Sequence, residues 1–331
     1  MTAHERLFSF SHALDHPATQ LYLMIIGGLL LAVPPLVFVL RRFGVIGAAL
    51  SKELYVRTLS WSALVVLVIG PILLGACWAI LLIFLISLIA YIEYARITGL
   101  FREALLSWAV LAGITVIYFA VLDHWYGLFM AMIPIGVVCL TGVALIGDRP
   151  KGYVQRVALA VLGFLLFGVC LGHLAYFSNS TLFRPLLIVV FLATAMNDVF
   201  AFCVGKAMGR RKLCPNTSPN KTIAGALGAL VLSSVFVLLI TRPLLPNAPG
   251  LTVWHLLLGG AILSICGQLG DLMLSAIKRD IGLKDTGNLI PGHGGILDRV
   301  DSLVLVAPAS FHFVGYLMGV GLDQQTRIIS G

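Results

Sequence analysis

Thr252 to Gly321 reads TVWHLLLGGAILSICGQLGDLMLSAIKRDIGLKDTGNLIPGHGGILDRVDSLVLVAPASFHFVGYLMGVG. Its two apolar runs, over 252–275 and 303–321, are each long enough for a membrane-crossing helix, which needs about 17–25 residues. Between them the pattern breaks. From Asp271 to Asp301 nine of 31 positions are charged, against 27 of the other 300. Five are aspartates (Asp271, Asp280, Asp285, Asp298, Asp301) and four are cations (Lys278, Arg279, Lys284, Arg299), so the net charge of −1 is wrong for a polybasic patch on anionic lipid heads. Carboxylates interleaved with Lys and Arg suit a metal ion that bridges phosphates. Hard oxygen ligands hold Mg²⁺ while the cations take the phosphate oxygens the metal leaves free.

Pro291-Gly292-His293-Gly294-Gly295 cannot continue a helix and lets backbone N–H groups approach an anion. After it, Asp298 and Asp301 stand three apart, which on a helix puts both carboxylates on one face. As an ordinary inter-helix turn the stretch would need neither five aspartates nor alternating signs. For His293 a binding or structural role is expected rather than proton transfer.

Composition widens this reading to the whole chain. With 331 residues, 60% hydrophobic and only 11% charged, it lies far from a soluble domain, where about a quarter of residues are charged. The expectation is an all-α, polytopic membrane protein. Net charge is +8, but the cations sit in loops between apolar runs with no basic stripe interleaved with aromatics, so nucleic acid is not expected as a partner. The six cysteines (Cys77, Cys139, Cys170, Cys203, Cys214, Cys266) lack CxxC spacing and read as small packing residues, giving neither a zinc site nor a disulfide framework. No cleavage site follows the first apolar run, so a removable signal peptide is not expected.

About ten transmembrane helices follow, near 21–40, 61–75, 77–92, 106–122, 126–146, 157–177, 183–205, 223–241, 252–275 and 303–321. The pair between Trp61 and Ile92 is short for two spans, and Gly70-Pro71 could mark a re-entrant turn there. With the N-terminus outside, 18 of the 22 Lys and Arg fall in inner loops and only Arg6, Arg184, Arg242 and Arg327 outside. By the positive-inside rule the charged stretch faces the cytoplasm of a cell-membrane protein. His173, His255 and His312 lie singly in spans and are expected to hydrogen-bond neighbouring helices.

A second inner loop, Lys206 to Thr222, reads KAMGRRKLCPNTSPNKT, with five cations and no acid. One reading is a phosphate cradle, with Ser218 and Lys221 as donors and the helix N-terminus near Thr222 aimed at an anion. The plainer one is a positive-inside anchor. Asp198 tips the balance, because an acid near the inner end of an apolar helix is costly and normally has a partner or a task. Pairing with Lys206 would be the structural version of that partner.

Ser275 to Asp301, SAIKRDIGLKDTGNLIPGHGGILDRVD, resembles the signature of the phosphatidate cytidylyltransferase family, the CDP-diacylglycerol synthases: S-x-x-K-R, K-D, P-G-H-G-G and D-R-x-D are all present. Lys212-Leu213 with Ser218-Pro219-Asn220-Lys221-Thr222 looks like a second family block, and the two cover most of 195–302. The resemblance divides the chain into 1–182, transmembrane helices weakly matched to the family, and 183–331, a transmembrane catalytic region with cytoplasmic loops 206–222 and 276–302.

The resemblance implies a transferase that joins phosphatidate to CTP, giving CDP-diacylglycerol and pyrophosphate, with a divalent metal such as Mg²⁺ required and a monovalent cation such as K⁺ assisting. Asp271, Asp298 and Asp301 are the expected metal ligands, with Asp198 a weaker one. Lys206, Lys221, Lys278, Arg279, Lys284 and Arg299 are expected to neutralise triphosphate, pyrophosphate or lipid phosphate. Ser218, Thr222, Asp285 and His293 complete the expected substrate contacts. Ala224 and Leu274 stand where the family usually has glutamates, and Asn220 replaces a lysine. These departures leave the identity of the lipid phosphate open. No Walker A sequence occurs, which sets aside a P-loop ATPase. A CTP-dependent lipid kinase and a secondary transporter are the rivals, separated by product. The sequence does not fix whether the chain forms a homo-oligomer.

Overall fold

The computed structural model describes residues 3–244, 252–284, 286–287, 295–319 and 327–330. Among them ten helices are long and apolar enough to cross a membrane. The protein is a multi-pass membrane protein, and its backbone polar groups are satisfied within helices, as a bilayer demands. A short helix α1 (Ala3–Phe8) precedes the spans α2 (Pro17–Arg42), α3 (Ala48–Leu74), α4 (Ala76–Ile97), α5 (Ala104–Leu122), α6 (Tyr126–Val143), α7 (Tyr153–Asn179) and α8 (Phe183–Met208). An antiparallel hairpin, β1 (Lys212–Cys214) and β2 (Ser218–Thr222), then leads into α9 (Ile223–Thr241), α10 (Val253–Asp280) and α11 (Leu297–Met318).

The spans number as the apolar runs predict, but most are longer than those runs. Ser51 to Ser60, SKELYVRTLS, is too polar to read as a span, yet it is helical, with Glu53 and Arg57 paired at 2.6 Å one turn apart. A re-entrant turn at Gly70-Pro71 is therefore not what the chain does: Pro71 lies inside α3, and the break falls at Gly75, whose φ is 147°. Only glycine fits there, since a Cβ would collide with the Leu7 carbonyl of α1 as well as demand that conformation. Similarly, α10 runs on to Asp280 and α8 to Met208, so polar side chains read as loop residues ride on helical extensions.

Burial centres on α7, where Phe164, Phe167, Tyr176 and Phe177 are enclosed by α4, α5, α6 and α11. The C-terminal spans approach one another through small residues: a Cβ at Gly225 would meet the Ala201 carbonyl of α8 at 2.6 Å, and one at Gly260 the Cα of Ser234 on α9 at 2.6 Å. His255 caps its own helix, its Nδ1 accepting from the Thr252 amide at 3.1 Å, rather than reaching a neighbour. His173 and His312 do bridge helices, with their Nε2 atoms 3.1 Å apart between α7 and α11. All six cysteines are free. Four are partly buried, while Cys139 and Cys203 face outward and so are not packing residues.

The two ends of the bundle differ in chemistry. At one end Arg6 and Arg184 donate to the carbonyls of Asn179, Ser9 and His12, and Asp123 receives the amides of Ile328, Ile329 and Ser330. At the other lie the hairpin, the end of α10 and the start of α11, with nearly all the remaining charge.

Candidate active site

Four helices and the hairpin converge at that second end. Residue spacing on α10 brings Asp271, Ser275 and Lys278 to one stripe. Asp271 Oδ1 accepts from the Ser275 hydroxyl at 3.1 Å, and its Oδ2 lies 2.6 Å from Lys221 Nζ. Lys221 is placed by strand β2, whose pairing sets Thr222 opposite Lys212. Thr222 itself is buried and caps α9, its Oγ1 accepting from the Gly225 amide at 3.1 Å, while Gly205 and Gly209 pack against it. Its hydroxyl thus serves the fold, while Ser218 of the same strand is half-buried.

Asp198 on α8, Asp271 on α10 and Asp301 on α11 lie within electrostatic reach of one another, with Lys221 beside Asp198 and Lys278 beside Asp301. Asp198 is ten residues from the end of α8 at Met208, a depth of about 15 Å along the helix, and its predicted partner Lys206 lies elsewhere. That ammonium sits 5.8 Å from the Phe202 ring on the exposed flank of α8. Neither Asp198 nor Asp301 is in an ion pair among the described residues.

Beneath the acids is a polar layer. Asn197 Oδ1 accepts from Ser233 at 3.1 Å and Ser264 at 2.6 Å, and Gln268 donates to Ser264 at 3.1 Å. Asn197 Nδ2 and Ser302 Oγ are buried, and both face the Asp198 carboxylate.

Asp298 and Asp301 differ in their partners, although Lys278 stands beside both. Asp298 Oδ1 is held by Lys278 Nζ at 2.7 Å, and its Oδ2 accepts from the Thr286 amide at 3.0 Å, the Thr286 hydroxyl at 2.9 Å and the Gly295 amide at 3.1 Å. Its charge is met by these protein donors. Arg279 and Lys284 are exposed. Arg279 ties the end of α10 to the hairpin through the Thr217 carbonyl at 3.3 Å. Arg299 is exposed on the first turn of α11. Asp285 and His293 lie outside the described residues, as does most of the Pro-Gly-His-Gly-Gly turn. Ala224 and the buried Leu274 confirm that no acid faces the site from those positions.

One contributor escaped the sequence reading. Glu93, buried near the C-terminal end of α4, accepts from the Ile296 amide at 3.1 Å and the Leu297 amide at 2.8 Å. Its signal was available, since it is an acid at the end of the apolar run LLIFLISLIAYIEYAR and such a residue needs a partner.

A divalent cation fits the donor chemistry of Asp198, Asp271 and Asp301: only hard oxygens, an excess of negative charge over Lys221, and the buried Ser302 hydroxyl alongside Asp198. No three acidic, imidazole or thiol groups among the described residues are drawn together into a finished cage, however, and Lys221 holds one Asp271 oxygen.

Residues 55–317 match the cytidylyltransferase family. The chain belongs to that family. The match starts within α3 and therefore takes in helices of the N-terminal half whose apolar runs carry no distinctive residues. Among similar proteins, the uncharacterized protein YnbB of Escherichia coli (strain K12) is 35% identical over 272 residues, 80% of this chain and 88% of its own length. Phosphatidate cytidylyltransferases of Bacillus subtilis (strain 168) and Staphylococcus haemolyticus (strain JCSC1435) are 40% and 41% identical over 46% and 42% of this chain. The matched segments span about half of those two enzymes, 56% and 53%. A cytidylyltransferase is a nucleotidyl-transferring enzyme.

Proposed function

We propose that the protein transfers a cytidylyl group from CTP to phosphatidate, or to a closely related lipid phosphate, releasing pyrophosphate at the cytoplasmic face. The observation that carries this reading is the gathering of Asp198, Asp271 and Asp301 with Lys221 and Lys278 where the C-terminal halves of α8 and α10 meet the start of α11.

A lipid phosphate oxygen is already a nucleophile at neutral pH. It attacks the α-phosphorus of CTP, a new P–O bond forms, the bond from that phosphorus to the β-phosphate oxygen breaks, and pyrophosphate leaves with the electron pair. Little covalent help is required, so the protein's part is placement and charge neutralisation. Asp198, Asp271 and Asp301 would hold Mg²⁺, with a monovalent cation assisting, and the metal when bound neutralises triphosphate charge. Lys221 turns from Asp271 to a phosphate oxygen as nucleotide arrives. Ser218 donates beside it, and Arg279, Lys284 and Arg299 line the approach. Lys278, engaged with Asp298, keeps the α10 and α11 acids in register.

The test is turnover of CTP labelled on its α-phosphate by the full chain in lipid nanodiscs with Mg²⁺ and phosphatidate. Labelled CDP-lipid with pyrophosphate is expected. Phosphorylated lipid with CDP would identify a CTP-dependent lipid kinase, and absence of nucleotide turnover across a panel of lipid phosphates would overturn the reading.

A further inference from the structure

Glu93 joins the half of the chain that carries no signature to the half that does. We propose that it is a positioning residue, whose carboxylate on α4 fixes the N-terminus of α11 and with it the depth and rotation at which Asp298 and Asp301 meet α10. The inference rests on the cytidylyl-transfer reading for its consequence but not for its geometry.

Both carboxylate oxygens are used, Oε1 on the Ile296 amide at 3.1 Å and Oε2 on the Leu297 amide at 2.8 Å. These donors have no partner within their own helix, and a carboxylate there is further favoured by the positive end of the helix. The Thr286 hydroxyl lies 3.5 Å from the same Oε2 and 2.9 Å from Asp298, so Glu93 and Asp298 flank one threonine from opposite sides. Gly295 has a physical reason to be glycine: a Cβ there would come within 2.5 Å of both Glu93 Oε2 and the Thr286 hydroxyl.

Glu93 has a firm mount. Tyr91 and Tyr94, on either side of it in α4, are buried, and Gly163 of α7 packs against both rings. From Leu297, Asp298 is the next residue and Asp301 follows one turn later. A shift of the helix start therefore moves both acids against Asp271 and Lys278. Asp298 is itself held by Lys278, Thr286 and Gly295, so losing Glu93 loosens the start of α11 without freeing it.

The experiment compares wild type with Glu93→Ala, Glu93→Gln and Gly295→Ala in nanodiscs, reading steady-state kinetics, Mg²⁺ dependence and backbone hydrogen exchange over 295–301. In Glu93→Ala, kcat per folded molecule should fall on the order of 10–100-fold, the scale of a small misplacement of reacting groups. Half-saturation by Mg²⁺ should rise, and exchange should quicken over 295–301 while α4 stays protected. Glu93→Gln, which keeps one acceptor oxygen, should lie between. Gly295→Ala, which displaces the carboxylate without removing it, should reproduce the defect and decides the matter if Glu93→Ala does not fold. Unchanged exchange over 295–301, or wild-type kcat per folded molecule, would overturn the proposal. If wild type makes no CDP-lipid, the functional reading falls, and exchange alone still decides whether Glu93 holds α11.

Discussion

Asp298 and Asp301 are three residues apart yet answer to different physics. Asp298 and Lys278 form an ion pair whose side chains are each only 10% exposed. Removing one partner of such a pair strands the other, at a cost of about 3–5 kcal/mol. Asp298→Ala should therefore lower the thermal unfolding midpoint and reduce activity with the folded fraction. Asp301→Asn should behave in the opposite way, leaving the midpoint near wild type while CDP-lipid formation collapses, because it removes charge from the acid cluster rather than from a closed pair. Equal midpoints for the two variants would contradict this division. Lys221, about a quarter exposed in its pair with Asp271, is the cation free to turn to nucleotide. Lys221→Ala should weaken CTP use by about 1.5–3 kcal/mol, the value of a hydrogen bond to a charged group. Arg210→Ala, exposed between α8 and the hairpin, should leave KM for CTP unchanged.

Elements in this bundle are joined by carboxylates that receive backbone amides from distant segments. Glu93 does so at one end, and Asp123, just beyond the end of α5, does so at the other. Asp123 is buried, which alone would raise its pKa, but the Ser330 hydroxyl and the amides of Ile329, Ser330 and Ile328 outweigh that and hold it below the usual carboxylate value. A depressed native pKa contributes stability above the unfolded pKa of about 3.9, and loses it as pH falls through the lower native value. The clasp should therefore hold throughout the neutral range and open only in acid. Arg327 lies 4.1 Å over the Trp125 ring, so Trp125 is a built-in reporter. In a protein whose other four tryptophans are replaced, its fluorescence should be constant above about pH 5 and change below about pH 4. Asp123→Asn should show the released signal already at pH 7, and a flat wild-type profile down to acid unfolding would count against the clasp.

At the scale of the whole molecule, charge separates the two ends of the bundle and gives it an orientation. Thr217 lies in the turn of the hairpin beside the acids, and Ser330 lies at the Asp123 end. With the native cysteines replaced, a cysteine at Thr217 should react with a membrane-impermeant maleimide only after the cytoplasmic side is opened. One at Ser330 should react in intact cells once Asp123→Asn has released it. Reversal of the pattern would place the site on the wrong side for CTP.

The apolar runs by themselves determined the number of spans, because each must cover a hydrocarbon core of fixed thickness whatever it packs against. The charged stretch from Asp271 to Asp301 likewise marked where two of the three clustered acids lie, because so apolar a chain concentrates charge only where it leaves the lipid. Hydropathy cannot see where a helix stops once it leaves the lipid, so the polar start of α3 and the extensions of α8 and α10 were legible only in the structure. Partner choice was also beyond the sequence. Spacing puts Asp298 and Asp301 on one face, but which cation each meets depends on where α10 lies beside α11. Glu93 is separated from Ile296 and Leu297 by some two hundred residues, and no local pattern encodes a contact that exists only because α4 packs against the start of α11.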